Sequence, residues 1–531
     1  MGRRFTSSFE IDNTNKYPAS MQLLDLPEEL LALCCDHIDI FATKAFRLTC
    51  KRTMPMATRR LFSHVHLLPT TESANKARAI LENKELMPLV TSISIKTSIE
   101  DLDLEIHRPS WDVPDWRDDD PDYADETKHG IGTNGVLSSA FKSMLGDIGL
   151  FQNLRRVELK FDWEVVGPSS FNSGHHKEWT EYREPFLRNF FRALNHPEHP
   201  ASKVHSLSIC NLHDLSNYET LKSDDFKSAL SRIDTLELGV ATEEQSAAPE
   251  SNIELPERHQ FFGIDLIDFW LAPVQHNLVN LKIYSNSYWG YLPKCDLRKL
   301  HFPKLKGLAF GNMTFTHDWQ LDWIVSHGQT LESLTLDDCP IVHDAIVGQT
   351  MDHERYAKLQ DDKSLEWDPW KEKAWSYGSR WHDYLRKMTV GLPRLQHFGM
   401  GHGAWNNCYD EDNLTQAFEA SASLPAQLET GRYVIFSWGT GPSAWIEPEG
   451  HGYQGDPTMK ITELDQQYDC CWEEDDDPPV PSYPDCWDQD QEAFDVFMAA
   501  VEGRRARNQS VCSCDDGQRS SRVSLRVNSP R

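Results

Sequence analysis

The sequence predicts an α/β chain in which a short bundle of three helices precedes an irregular solenoid of strand-plus-helix units carrying insertions. Three observations lead there. Between residues 24 and 67, apolar residues fall at helical spacing in short runs broken by a proline. From residue 90 onward a short apolar triplet recurs eight times. Helical candidates and long polar insertions lie between the triplets.

Residues 1–20 are polar and are expected to form a disordered tail. The run Leu24-Asp25-Leu26-Pro27-Glu28-Glu29-Leu30-Leu31 then opens a helix. Pro27 suits a first helical position, where its missing N–H would be unsatisfied anyway. Glu28 and Glu29 place negative charge in the first turn, which the helix dipole favours. Apolar residues at 30, 31, 34 and 38 form one stripe. A second helical run carries Ala45, Phe46 and Leu48. Pro55 interrupts it, Ala57 to Phe62 can form a third short helix, and Val65-His66-Leu67 reads as a strand. Three helices of this size bury little surface by themselves. Their stripe should close on something else, either the rest of this chain or another protein.

Leu26-Pro27-Glu28-Glu29-Leu30-Leu31, then Phe46-Arg47-Leu48-Thr49-Cys50-Lys51-Arg52, then Leu61-Phe62-Ser63-His64-Val65-His66-Leu67 resembles an F-box of the filamentous-fungal kind, over residues 21–68. The resemblance implies a module that binds the Skp adaptor of SCF (Skp–cullin–F-box) ubiquitin ligases. By position it implies Leu26, Pro27, Leu30, Leu31, Ile38, Leu48 and Cys50 as adaptor-facing residues. The chain departs from the family's aspartate-leucine start of the second helix, reading Phe41-Ala42-Thr43-Lys44 there.

The triplets are Val90/Ile93/Ile95, Leu154/Val157/Leu159, Val204/Leu207/Ile209, Ile233/Leu236/Leu238, Leu278/Leu281/Ile283, Leu305/Leu308/Phe310, Leu331/Leu334/Leu336 and Leu395/Phe398/Met400. Singly they prove little. Leu278 to Asn286 and Leu331 to Cys339, however, complete the whole leucine-rich-repeat phrase with its terminal Asn or Cys. The phrases from 278, 305 and 331 are spaced by 27 and 26 residues, within the repeat period. Trp319 to Val325 and Ile264 to Leu271 are helical candidates between them. Residues 69–425 are therefore expected to form the leucine-rich-repeat-like solenoid, irregular because elsewhere the spacing stretches to between 29 and 64 residues. An ordinary α/β domain whose strands read alike is the alternative.

Insertions at 107–135, 162–183, 241–258 and 350–382 are polar and hold many of the 17 tryptophans. Trp111, Trp116, Trp367, Trp370 and Trp375 are the candidates for touching a target, because exposed tryptophan is over-represented at binding hot spots. The other reading is that these rings pin their own loops. Residues 426–503 read as a C-terminal extension with a strand at Arg432 to Trp438, an acidic stretch at 469–485 and a helix from about Gln489 to Arg507. Residues 504–531 are expected to be a disordered basic tail.

The formal charge of −29 argues against binding nucleic acid or anionic lipid, which need cations to neutralise phosphate. No segment approaches a membrane span, and no secretory signal is apparent, so the 12 cysteines are expected as thiols. No P-loop, H-E-x-x-H or G-x-S-x-G motif occurs. Gly439 to Ala444 cannot open a dinucleotide-binding helix beside Pro442 and Pro448. Cys470, Cys471, Cys486, Cys512 and Cys514 lack paired zinc spacing. No enzymatic activity, metal or cofactor is expected. The resemblance implies a substrate receptor of an SCF ligase in cytoplasm or nucleus, docking Skp, through it a cullin, and an unidentified protein target. The alternatives are an F-box scaffold working without a cullin and an enzyme concealed after residue 85.

Overall fold

The structure, a computed structural model, describes residues 23, 26–98, 138–163, 165, 180–243, 255–347, 351–364, 373–405, 413–437 and 484–523. The chain divides into two compact units, Met1–His64 and Val65–Arg531.

The first unit holds α1 (Glu28–Asp36), α2 (Ile40–Thr49) and α3 (Met54–Phe62). Pro27 stands just before α1 rather than inside it, and Pro55 lies in the first turn of α3. The second helix begins at Ile40 because Asp39 caps it, accepting from the N–H groups of Phe41 at 2.7 Å and Ala42 at 2.8 Å. An aspartate does open this helix, then, two residues before Phe41. The joint between α2 and α3 is locked by the buried Thr53 hydroxyl, which donates to the carbonyls of Phe46 and Cys50.

The second unit is built on a sheet of nine strands: β1 (His64–Leu67), β2 (Ser92–Lys96), β3 (Arg156–Lys160), β4 (Ser206–His213), β5 (Thr235–Ala241), β6 (Asn280–Ser285), β7 (Gly307–Gly311), β8 (Ser333–Asp337) and, at the far edge, β11 (His397–Gly401). A separate three-stranded sheet joins β9 (Ile341–Val347) antiparallel to β10 (Lys373–Ser376) and parallel to β12 (Tyr433–Ser437). The helices are α4 (Thr71–Glu82), α5 (Ser139–Gly146), α6 (Thr180–Leu194), α7 (Tyr218–Leu221), α8 (Asp224–Leu230), α9 (Pro256–Gln260), α10 (Asp318–Ser326), α11 (Trp381–Gly391), α12 (Asn413–Ala420) and α13 (Trp487–Val523).

From β2 through β8 to β11 the strands run parallel and in register. Val157, Leu207, Leu236, Leu281, Leu308, Leu334 and Phe398 form one such row across the sheet. Successive strand residues face opposite sides, so the second and third members of each triplet share one face. All eight triplets are buried there in the main core with the helices. Left-handed asparagines mark two strand ends: Asn211 (φ 58°) sits inside β4, where its register with β5 shifts, and Asn312 (φ 59°) directly follows β7. Asparagine tolerates that conformation, and the two side-chain amides donate to the end of the neighbouring strand's segment, at Phe161 O just after β3 (3.1 Å) and Ser285 O at the end of β6 (2.9 Å).

The expected irregular solenoid is corrected by this sheet. The triplets belong to one continuous parallel sheet of α/β character. The connections share no unit: they range from short 3-10 turns to the fifteen-residue α6 and a π-helical stretch at Phe261–Leu271. The phrase misleads because its second and third apolar residues follow the period of two that any strand with one apolar face shows. The C-terminal helix also differs from its expectation, starting at Trp487 and continuing to Val523. Once nucleated, a helix gains one hydrogen bond for each residue added.

Candidate docking surfaces

In the first unit, the apolar side chains fully covered are Leu31, Cys35 and Ala57. Thr43 and Thr53 are buried with them. The outer surface carries Leu23, Leu30, Leu33, Ile40, Phe41, Leu48 and Met54, and these are seven of the thirteen exposed large apolar side chains among the described residues. That density, in a unit of about forty described residues, marks it off from the rest of the chain. Helix α2 is turned inside out: Thr43 points inward and donates to Asp39 O (2.7 Å), while Phe41, Ala45 and Leu48 form an exposed stripe at i, i+4, i+7. Leu48 is 83% exposed and Phe41 76%. A contiguous exposed apolar surface of this kind is the usual mark of a protein-binding site.

The residues that the resemblance implied fall into three groups. Pro27, Leu30 and Leu48 stand exposed; Leu26, Ile38 and Cys50 are partly covered; Leu31 is fully buried and belongs to the unit's own packing. The sequence reading missed Leu33, Ile40 and Phe41. Their apolar character was legible, but their outward direction depends on how α2 is rotated about its axis.

The second candidate is the face of the sheet opposite the main core. Its rows are small and polar. One crosses Ser92, Arg156, Ser206, Thr235, Asn280, Gly307, Ser333 and His397, and the next crosses Ser94, Glu158, Ser208, Glu237, Lys282, Ala309, Thr335 and Gly399. Charges pair across the strands, Arg156 with Glu237 at 2.9 Å and Lys282 with Glu237 at 3.8 Å. Burial lowers the Lys282 ammonium from its ordinary range, with Glu237 pulling the other way.

Of the tryptophans expected at a target surface, Trp375 is corrected: it is buried, and its indole N–H donates to the Tyr291 hydroxyl at 2.9 Å. A large loop needs an anchor, and this ring supplies it. Trp111, Trp116, Trp367 and Trp370 lie outside the described residues.

One cluster has the composition of a metal site. His382 Nδ1, Cys486 Sγ and the Asp490 carboxylate lie within 4.8 Å of one another. The carboxylate already receives the Arg432 guanidinium at 2.9 Å, the Tyr433 hydroxyl at 2.8 Å and the backbone N–H of His382 at 3.0 Å. Burial works to raise the Asp490 pKa, but the bonds from Arg432, Tyr433 and His382 outweigh it and hold the group ionised. A cation there would have to displace the arginine. The cluster is a clasp that ties α13 to α11 and β12. Burial raises the thiols of Cys295, Cys339 and Cys486, the opposite of what a nucleophile needs. Burial also lowers His213 to about 3 and raises Asp214 to about 7, leaving a neutral imidazole inside the protein. No helix among the described residues is long and apolar enough to cross a membrane. Compared with known proteins, the chain matches no protein-family model and no curated sequence.

Proposed function

We propose that the chain is the substrate-recognition subunit of an SCF-type ubiquitin ligase, acting in cytoplasm or nucleus and catalysing nothing itself. The observation that carries the reading is the outward apolar stripe Phe41–Ala45–Leu48, with Leu30 and Leu33, on a unit whose sequence resembles an F-box. Completing that surface with the Skp adaptor would bury side chains worth roughly 1.5–3 kcal/mol each. A cullin joins through the adaptor, and the second unit holds a protein target. Transfer then proceeds by proximity, because a target tethered beside a charged conjugating enzyme reacts at high effective concentration.

The test is co-purification of the full chain with the Skp adaptor, comparing the parent with Leu30→Asp/Leu48→Asp. Both positions are exposed, so the fold should tolerate the change. Loss of adaptor in the variant is expected. Equal recovery, or no recovery with the parent chain, sinks the reading. Adaptor binding that never brings a cullin would instead indicate a scaffold.

A further inference from the structure

The half of the first unit formed by α2 and α3 is basic within an acidic chain. Residues 40–63 hold six Lys and Arg and no Asp or Glu, whereas the whole chain carries a formal charge of −29. Two of the six are used inside the unit. Arg47 Nε donates to Thr58 Oγ1 at 2.9 Å, joining α2 to α3, and Arg52 Nη2 donates to Leu26 O at 2.7 Å, just before α1. Lys44, Lys51, Arg59 and Arg60 are exposed, and among the described residues no ion pair joins any of them to a carboxylate. The second unit treats its first two cations differently, pairing Lys76 with Glu72 and Arg78 with Asp147, each at 2.6 Å.

Lys44 decides what can be recognised. It stands three residues after Phe41 and four before Leu48, so it shares their outward face of α2. Its Nζ lies 5.4 Å from the centre of the Phe41 ring. Any partner that covers the stripe must therefore cover this ammonium as well. An ammonium taken out of water without a counter-charge costs more than burial of the neighbouring ring returns. The partner has to bring a negative group to that point.

We infer that the partner of this face is acidic: a protein surface on which a carboxylate sits between two apolar contacts, meeting Lys44 while they take Phe41 and Leu48. Lys51, Arg59 and Arg60 add a positive field that draws such a surface in before contact. The acids of the unit lie on α1, at Glu28, Glu29 and Asp36, and at Asp39, whose carboxylate is engaged by the α2 backbone. That asymmetry orients the partner, with its acidic part over α2. An anionic membrane also answers lysine beside phenylalanine, but the charge of −29 opposes approach to such a surface. In the receptor reading, on which the first probe below rests, the partner is the Skp adaptor.

The experiment measures binding of the full chain to that adaptor and to a helical peptide of about 16 residues bearing Leu and Glu at i, i+3, i+4 and i+7. Lys44→Glu should leave urea unfolding unchanged and weaken adaptor binding at least about 30-fold, while Lys44→Arg binds as the parent does. Raising salt from about 50 mM to about 500 mM should slow adaptor association at least about 10-fold. Equal binding by the parent and Lys44→Glu overturns the inference and leaves the receptor reading standing. If the parent ignores the adaptor, the receptor reading falls and the peptide decides. A preference of at least about 10-fold over the same peptide with Gln in place of Glu, lost in Lys44→Glu, upholds an acidic partner. No preference overturns it. Capture of the parent by phosphatidylserine vesicles, with neither probe bound, overturns it as well.

Discussion

The three-helix unit and the nine-stranded sheet handle apolar surface in opposite ways. Every triplet residue of the sheet is buried, whereas the helical unit covers Leu31, Cys35 and Ala57 and leaves seven large apolar side chains outside. Both regions are amphipathic by sequence. The sheet finds its complement within the same chain, because each strand is followed by a helix or turn that covers it. The helical unit is too small to do so, and one helix directs its apolar stripe away from its neighbours. That open surface is the one that the proposed adaptor docking would cover.

Substitutions can break or sharpen the contrast. Leu236→Asp places an unpaired charge in the sheet core and should destabilise the second unit by more than about 4 kcal/mol, measured by urea unfolding. The same change at Leu48 should move that transition by under about 0.5 kcal/mol. Comparable effects at the two sites would end the distinction. Asp490→Asn removes the charge facing Arg432 and His382 and should cost about 3 kcal/mol. Because the Asp490 pKa is held below its ordinary value, its contribution is present at neutral pH and is lost as pH falls through that depressed value. Acid titration followed by circular dichroism should show the loss in the parent and not in the variant.

His327 makes the third prediction. Burial lowers it to about 4, and its Nε2 accepts from the Phe302 N–H at 3.1 Å, which requires the neutral ring. Stability from this group is complete above its ordinary pKa of about 6.5 and declines as pH drops toward 4, by an amount on the order of 2 kcal/mol. His327→Gln should flatten that slope in denaturation curves collected from pH 7 to pH 4. Smallest of all, Leu48→Ala should leave thermal unfolding unchanged while weakening adaptor capture. A clear drop in melting temperature would show Leu48 packing within the unit.

Much of the local structure was readable from residue order. The strand β1, the helix α10 over Trp319 to Val325 and the strand β12 near Arg432 to Trp438 all form near the expected places, since each is a short run with one clear periodicity. The parts not readable depended on partners far along the chain. Nothing local told that Trp375 would turn inward to Tyr291, 84 residues earlier, or that Leu31 rather than Leu30 would be covered. The repeat phrase itself was ambiguous, because a strand with one apolar face alternates in the same way with or without a repeating unit.

Residue order by itself determined the eight apolar triplets and the helices with one clear stripe, because backbone geometry ties side-chain direction to a period of two or about 3.6. Only the tertiary structure decided that nine strands join one sheet, that α12 crosses its polar face, and that Phe41 and Leu48 point outward. Those outcomes depend on which surfaces meet, a matter of packing between residues hundreds of positions apart, as between Asn211 and Thr415. A helix carries the same pattern whichever way it is turned, and its neighbours choose the rotation.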